Sequence, residues 1–158
     1  MEVEWLYVDN KIRINKNDSM DIYSWRENKS IPSYWFKIKP SFNNIYYQIN
    51  FNKKKCSLHR LVYKAHNKDW DIDDNSKLNC IDHINTDSTD NRIENLRVVT
   101  HQQNSFNRNA KGYNWNKKHK KWRAQIYIDG KGIHLGYFKK EEDARQSYLN
   151  AKEVYHKI

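Results

Sequence analysis

The sequence predicts an α+β protein assembled from small modules: a β-rich N-terminal region, a mixed central segment, and a C-terminal three-stranded sheet backed by one helix. Three features predict it. Apolar and polar residues alternate in YWFKIK (34–39), IYYQINF (45–51) and KWRAQIYI (121–128), the pattern of strands with one buried face. Apolar residues recur at helical spacing in LHRLVYKAH (58–66) and again from Glu141 to Tyr155. With 158 residues the chain has room for one compact domain or for two to three modules, each with a thin core.

Taken in order, Trp5, Tyr7, Ile12 and Ile14 alternate with polar neighbours around the turn former Asn10, so Trp5 to Ile14 reads as a short hairpin. Asp18 to Ser33 is polar and turn-rich. Tyr34 to Lys39 and Ile45 to Phe51 read as paired strands separated by Pro40, Ser41, Asn43 and Asn44. Leu58, Leu61, Val62 and Ala65 place a helix at about His59 to His66, and the acidic stretch Asn67 to Asn79 is a loop by composition. A short apolar run, Ile81 to Ile84, precedes a loop from Asn85 to Asn91, and Ile93, Leu96, Val98 and Val99 supply further apolar anchors. Thr100 and Gln103 have the spacing of a capping box, so a helix begins there, with Asn104, Asn107 and Arg108 on one polar face and His101 a turn earlier. Lys121 to Ile128, the turn signal Asp129-Gly130 and Ile133 to Phe138 make a hairpin. Glu141 to Tyr155 then covers the sheet with Ala144, Tyr148, Ala151 and Tyr155, and Glu141, Glu142 and Asp143 suit its N-terminus.

Composition narrows the function classes. A hydrophobic share of 37% and an aromatic share of 14% exclude a disordered polyelectrolyte. No run approaches the roughly 20 apolar residues of a membrane helix. The start, MEVEWLYVDN, lacks the basic flank and apolar core of a signal peptide, so a soluble, intracellular protein with no membrane partner is expected. Two cysteines, Cys56 and Cys80, exclude a disulfide framework and a four-thiolate zinc site. The net charge of +10 is concentrated: residues 105–158 carry 13 basic and 5 acidic side chains, residues 1–104 carry 16 and 14. Between Lys111 and Lys140 the basic residues are interleaved with Tyr113, Trp115, Trp122, Tyr127, Tyr137 and Phe138, which points to a structured nucleic-acid-binding surface.

The central segment, CIDHINTDSTDNRIENLRVVTHQQNSFNR (80–108), carries the chemistry. Asp82 and His83 are neighbours, opposed on a regular strand but able to line one site at a strand end. Asp82 is a hard oxygen ligand, the amide oxygen of Asn104 is a second candidate, and Mg²⁺ completes its shell with water and phosphate. His83 is a candidate general base for an attacking water, the metal stabilising charge at the scissile phosphate.

These residues resemble the HNH endonucleases, specifically the subgroup of phage and intron-encoded homing enzymes. The matching residues are His59-Arg60-Leu61-Val62, Asp82-His83-Ile84, Asn91-Arg92, Glu94-Asn95-Leu96-Arg97 and Asn104, within about Tyr46 to Arg108. The resemblance implies a ββα-metal (His-Me finger) core. It makes Asp82 and Asn104 metal ligands for Mg²⁺ or another divalent cation such as Mn²⁺, His83 the general base, and Asn95 the residue that ties the loop and so orients His83. Many relatives carry His at the last position; this chain has Asn104. His59 and Arg60 are expected to support the fold, and His101 to make an outer contact.

A second resemblance covers about Lys111 to His156. GYNWNKKHKKWRAQIYIDGKGIHLGYF, followed by KKEEDARQSYLNAKEVYH, is similar to the ethylene-response-factor (APETALA-type) DNA-binding domain, in which the exposed sheet face enters the major groove. Carried over by position, Lys117, His119, Lys121, Arg123, Gln125, Tyr127 and His134 form that surface, and Arg108, on the polar face of the preceding helix, is a further candidate for DNA binding. Alternation agrees, placing Lys121, Arg123, Gln125 and Tyr127 opposite Trp122, Ala124, Ile126 and Ile128. Fewer arginines than the family usually places there imply more phosphate anchoring and looser base reading.

The expectation is a modular, metal-dependent DNA endonuclease of homing or mobile-element type, acting on double-stranded DNA as a monomer and nicking one strand. Its parts are an N-terminal β-rich region (1–45), a nuclease domain (46–109) and a DNA-binding domain (111–158). The rivals are an inactive sequence-specific DNA-binding regulator and an RNA-binding protein. Divalent-metal-dependent cleavage of duplex DNA separates them.

Overall fold

The computed structural model describes residues 3–108 and 110–157. Over them the chain is α+β, with small sheets and three α-helices, and it divides into two compact units, Met1–Val98 and Val99–Ile158.

The first unit opens with β1 (Trp5–Tyr7), β2 (Ile12–Asn15), β3 (Asp18–Arg26) and β4 (Tyr34–Ile38), an antiparallel sheet in chain order. The expected hairpin is present, with Leu6 opposite Ile14. The stretch read as polar and turn-rich is instead mostly strand: β3 has nine residues, and its Ile22, fully buried, pairs with Ile14 on one side and Ile38 on the other. Alternation is hidden there because the outward positions are aromatic too. Arg13 lies over the rings of Trp5 and Trp35, 4.3 and 4.5 Å from their centroids, and Trp25 meets Trp35 edge-on at 5.3 Å. A face of stacked aromatics and arginine gives no hydrophobic contrast with the core face.

The expected pairing of 34–39 with 45–51 does not occur. β4 pairs with β3, whereas β6 (Tyr47–Phe51) sits between β5 (Ser41–Phe42) and β7 (Lys54–Ser57) in a separate antiparallel sheet. Asn52 and Lys53, at φ 48° and 63°, make the tight β6–β7 turn, a conformation that matches strand twist. α1 (Leu58–His66) buries Leu58, Leu61, Val62 and Ala65 against Ile12, Ile14, Ile22, Ile49, Ile81 and Leu96. Arg60 of α1 pins the loop 67–79: its guanidinium donates to the carbonyls of Ile72 (2.6 Å), Asp74 (3.2 Å) and Asn79 (3.2 Å) and lies over Trp70. β8 (Cys80–His83) and β9 (Leu96–Val99) form a two-stranded sheet, and a 3-10 turn at Ile93–Asn95 leads into β9.

The second unit begins with α2 (His101–Phe106). Its capping box is complete, Thr100 accepting from the Gln103 amide and the Gln103 side chain accepting from the Thr100 amide. The helix is shorter than expected. Asn107 is its C-cap and Arg108 lies beyond it, because no apolar residue after Phe106 holds another turn to a core. β10 (Tyr113–Asn116), β11 (Lys121–Ile128) and β12 (Lys131–Phe138) form an antiparallel sheet in chain order, backed by α3 (Glu141–Tyr155). Ala144, Tyr148 and Ala151 are buried on that helix as expected, but Tyr155 at its end is 47% exposed. Gly112, at φ +68°, is required by packing as well as by its backbone: a Cβ there would stand 2.1 Å from the Tyr148 ring.

β12 departs from strict alternation. Ala124 faces Gly136 but Gln125 faces His134, so Leu135 is an extra residue in a bulge. Leu135 packs with Ile126, Tyr148 and Ala151. The bulge brings Tyr137 onto the same face as His134, which simple alternation denies it.

Candidate active site

Asp82 and His83 end β8, and both are buried, at 4% and 6% exposure. Asp82 is held from β9. Arg97 donates through Nε to Oδ2 at 2.9 Å, with its Nη2 2.8 Å from the same oxygen in the ion pair, and this charge-assisted contact orients the carboxylate. His83 is held from the loop that follows. Its Nε2 stands 3.1 Å from Oδ1 of Asn91, whose amide nitrogen donates to the Thr89 carbonyl at 3.3 Å. An amide oxygen only accepts, so Nε2 carries the imidazole proton and Nδ1 is the basic nitrogen of the neutral ring. The Tyr46 ring lies nearly parallel to it at 6.1 Å, and His59 of α1 meets it edge-on at 5.1 Å.

Asn95 ties the loop. Its Oδ1 accepts from the Asn85 amide at 3.0 Å, and its Nδ2 donates to Asn85 Oδ1 at 3.0 Å and to the Asp90 carbonyl at 2.8 Å. Asp90 is clamped in turn by Arg92, whose guanidinium hydrogen bonds hold the carboxyl down at about 2. Asn95 therefore organises the backbone from Asn85 to Asp90, while the residue that touches the imidazole is Asn91, 2% exposed. The sequence reading gave Asn91 no role. It assigned none to Arg97 or Tyr46 either, and no spacing rule marks them, because all three reach the site across strands or loops.

His59 sits behind His83 with a buried Nδ1 that has no hydrogen-bond partner among the described residues. Burial, then the neighbouring His83 and Arg60, push it down to about 3, so it is neutral in the folded protein. The folded value lies below the unfolded 6.5, so protons bind the unfolded chain first and stability falls as pH drops from about 6.5 toward 3. By pH 5 the loss from this residue is about 2 kcal/mol. His59→Leu should remove that part of the slope, read by urea denaturation at pH 7 and pH 5. Equal losses in parent and variant would show that His59 does not drive it.

Asn104 lies on α2 in the second unit, half-buried, with His101 exposed in the first turn. Among the described residues no group of three or more His, Cys, Asp or Glu forms a metal cluster. The candidate donors, the Asp82 carboxylate and the Asn104 amide oxygen, are hard oxygens few in number. Each by itself is the kind of donor that Mg²⁺ or Mn²⁺ takes, since these cations bind through one or two protein oxygens and keep water and phosphate.

The second unit carries the other predicted residues. Lys121, Arg123, Gln125 and Tyr127 of β11 lie on the sheet face opposite the buried Ala124 and Ile126, and Tyr127 is 58% exposed. His134 and Tyr137 of β12 join that face, their rings 4.7 Å apart, and His119 from the β10–β11 turn packs on Tyr137 at 4.5 Å. Tyr137 is the member that sequence reasoning missed, for want of the bulge. Lys117 is exposed in the same turn, and Arg108 is exposed after α2.

A family model described as HNH endonuclease matches residues 56–106. The match begins in β7 and ends at the last residue of α2, so it contains Asp82, His83, Asn91, Asn95, Arg97 and Asn104 and crosses the boundary between the two units. No curated protein and no solved structure matches the chain. None of the helices among the described residues is long and apolar enough to cross a membrane.

Proposed function

We propose that this chain is a metal-dependent DNA endonuclease of the homing or mobile-element type, a soluble intracellular monomer that hydrolyses phosphodiester bonds in double-stranded DNA one strand at a time. The observation that carries the reading is the buried Asp82-His83 pair at the end of β8, its imidazole oriented by Asn91 and its carboxylate by Arg97, inside a segment similar to HNH endonucleases. β8, β9 and α2 follow one another in the order of a ββα-metal core.

In this reading Nδ1 of His83 accepts the proton of the attacking water, while Asn91 orients the ring by accepting from Nε2. Asn95 holds the loop that presents Asn91. Asp82 and Asn104 would hold Mg²⁺ or Mn²⁺, and the cation supplies charge stabilisation at the scissile phosphate. The open face of β10–β12, read as an ethylene-response-factor-like module, binds the duplex.

The direct test is incubation of supercoiled plasmid with the protein in Mg²⁺, in Mn²⁺ and in excess chelator. Metal-dependent appearance of open circles before linear DNA is expected. Tight binding without cleavage in either metal would make the chain a DNA-binding regulator. Lys121→Ala with Arg123→Ala should weaken duplex binding and lower the slope of log affinity against log salt by ~0.9 for each phosphate no longer neutralised. An unchanged slope would remove these residues from the interface.

A further inference from the structure

α2 has six residues, too short to persist on its own end-capping, so packing decides where it stands. Three fastenings among the described residues lead to the C-terminal sheet and helix. Gln102 and Phe106, four residues apart, share one face. Nε2 of Gln102 donates to Oδ1 of Asp129, in the β11–β12 turn, at 2.6 Å. The Phe106 ring, 8% exposed, lies flat on the imidazole of His156, with centroids 3.9 Å apart and planes 6° from parallel. His156 caps α3: its backbone amide donates to the Lys152 carbonyl, and its Nε2 donates to the Tyr127 carbonyl at 3.1 Å. Lys152 closes the arrangement by donating to the Arg108 carbonyl, just past α2, at 3.3 Å.

Asn104 sits about 200° around the helix from Gln102, so it projects from the side opposite the fastened face. Tyr127 links the fastening to the DNA-facing surface, since its carbonyl holds His156 while its side chain lies on the open face of the sheet. Duplex bound on that face acts on the same strand and turn that hold α2.

We propose that the β10–β12 and α3 module is the mount that positions Asn104, with Gln102, Phe106, Asp129 and His156 as positioning residues, so that DNA engaged by the sheet steadies α2. The proposal rests on the reading of Asn104 as a metal-holding residue, and its test separates the two.

The full chain is compared with Gln102→Ala/His156→Ala, with His156→Phe, which keeps a flat ring against Phe106, and with Asn104→Ala. Hydrogen exchange at the amides of 101–106 is followed without metal, with and without a duplex. The parent and His156→Phe should gain protection on binding DNA; the double variant should not, although its duplex affinity and the melting of the β10–β12 sheet stay near parental. In cleavage, the double variant should need about 10-fold or more Mg²⁺ to reach half its maximal rate, as when a group supporting a metal ligand is lost. Parental protection in the double variant, or no gain of protection in the parent, overturns the mount. Coupled protection together with a parental Mg²⁺ midpoint in Asn104→Ala overturns the ligand reading and leaves the mount standing.

Discussion

Replacing His83 by alanine should lower DNA cleavage by about 10²–10⁴-fold, the usual worth of a positioned general base, while duplex binding persists. The prediction follows from the tautomer. Asn91 accepts from Nε2, so in the proposed reading the nitrogen that accepts from water is Nδ1, and the other imidazole packed against His83 among the described residues cannot replace it. His59, the nearest, is buried and held neutral, and its Nδ1 has no partner among the described residues. The substitution also deprives Asn91 Oδ1 of its donor, which costs about 1–3 kcal/mol of stability in a buried position. His83→Gln refills much of that volume and supplies a donor without a base. Both variants should therefore be nearly inactive, with His83→Gln the more stable by thermal melting. Parental cleavage by a folded His83→Ala protein would remove this residue from the chemistry.

The second large effect is expected at Asp82. Asp82→Ala should abolish most Mg²⁺-dependent cleavage, a loss of at least about 10²-fold, by taking away the charged member of the proposed donor pair. It also strands the Arg97 guanidinium, whose side chain is 29% exposed, at a stability cost near the low end of ~1–3 kcal/mol. The two consequences separate in a double substitution. Asp82→Ala/Arg97→Ala should recover stability in urea denaturation and recover no cleavage. Arg97→Ala alone should retain activity but at a higher Mg²⁺ requirement, because the carboxylate loses its fixed orientation. Cleavage restored in the double variant would mean that Asp82 matters only as the partner of Arg97.

Much of this organisation is legible in the chain itself. The capping box at Thr100, the strand from Lys121 to Ile128 and the helix from Glu141 to Tyr155 stand where local patterns place them, because each is set by neighbours in sequence: a cap three residues away, a period of two, a period near 3.6. The central motif likewise identified the segment that matches HNH endonucleases. Sequence contrast fails first where both faces of a strand are covered. In β3, Tyr23 and Trp25 join the aromatic and arginine layer while Ile22 faces the core, so no contrast marks the strand.

Partner choice and side-chain roles belong to the tertiary structure. Which strand β4 pairs with depends on β3 existing, and the segment between them, ENKSIPS, carries no pattern that names a partner. The face of Tyr137 depends on one extra residue, Leu135, being drawn to Ile126 and Tyr148 across the bulge. Asp82 and His83 are adjacent in the chain, yet their orienting partners stand 15 and 8 residues away, at Arg97 and Asn91. Sequence determines which groups are chemically able to serve, since a carboxylate, an imidazole and an amide are fixed by residue type. Which amide holds the imidazole, and which module carries the helix of Asn104, is decided by long-range packing, because a hydrogen bond or a ring stack depends on distances that no local pattern encodes.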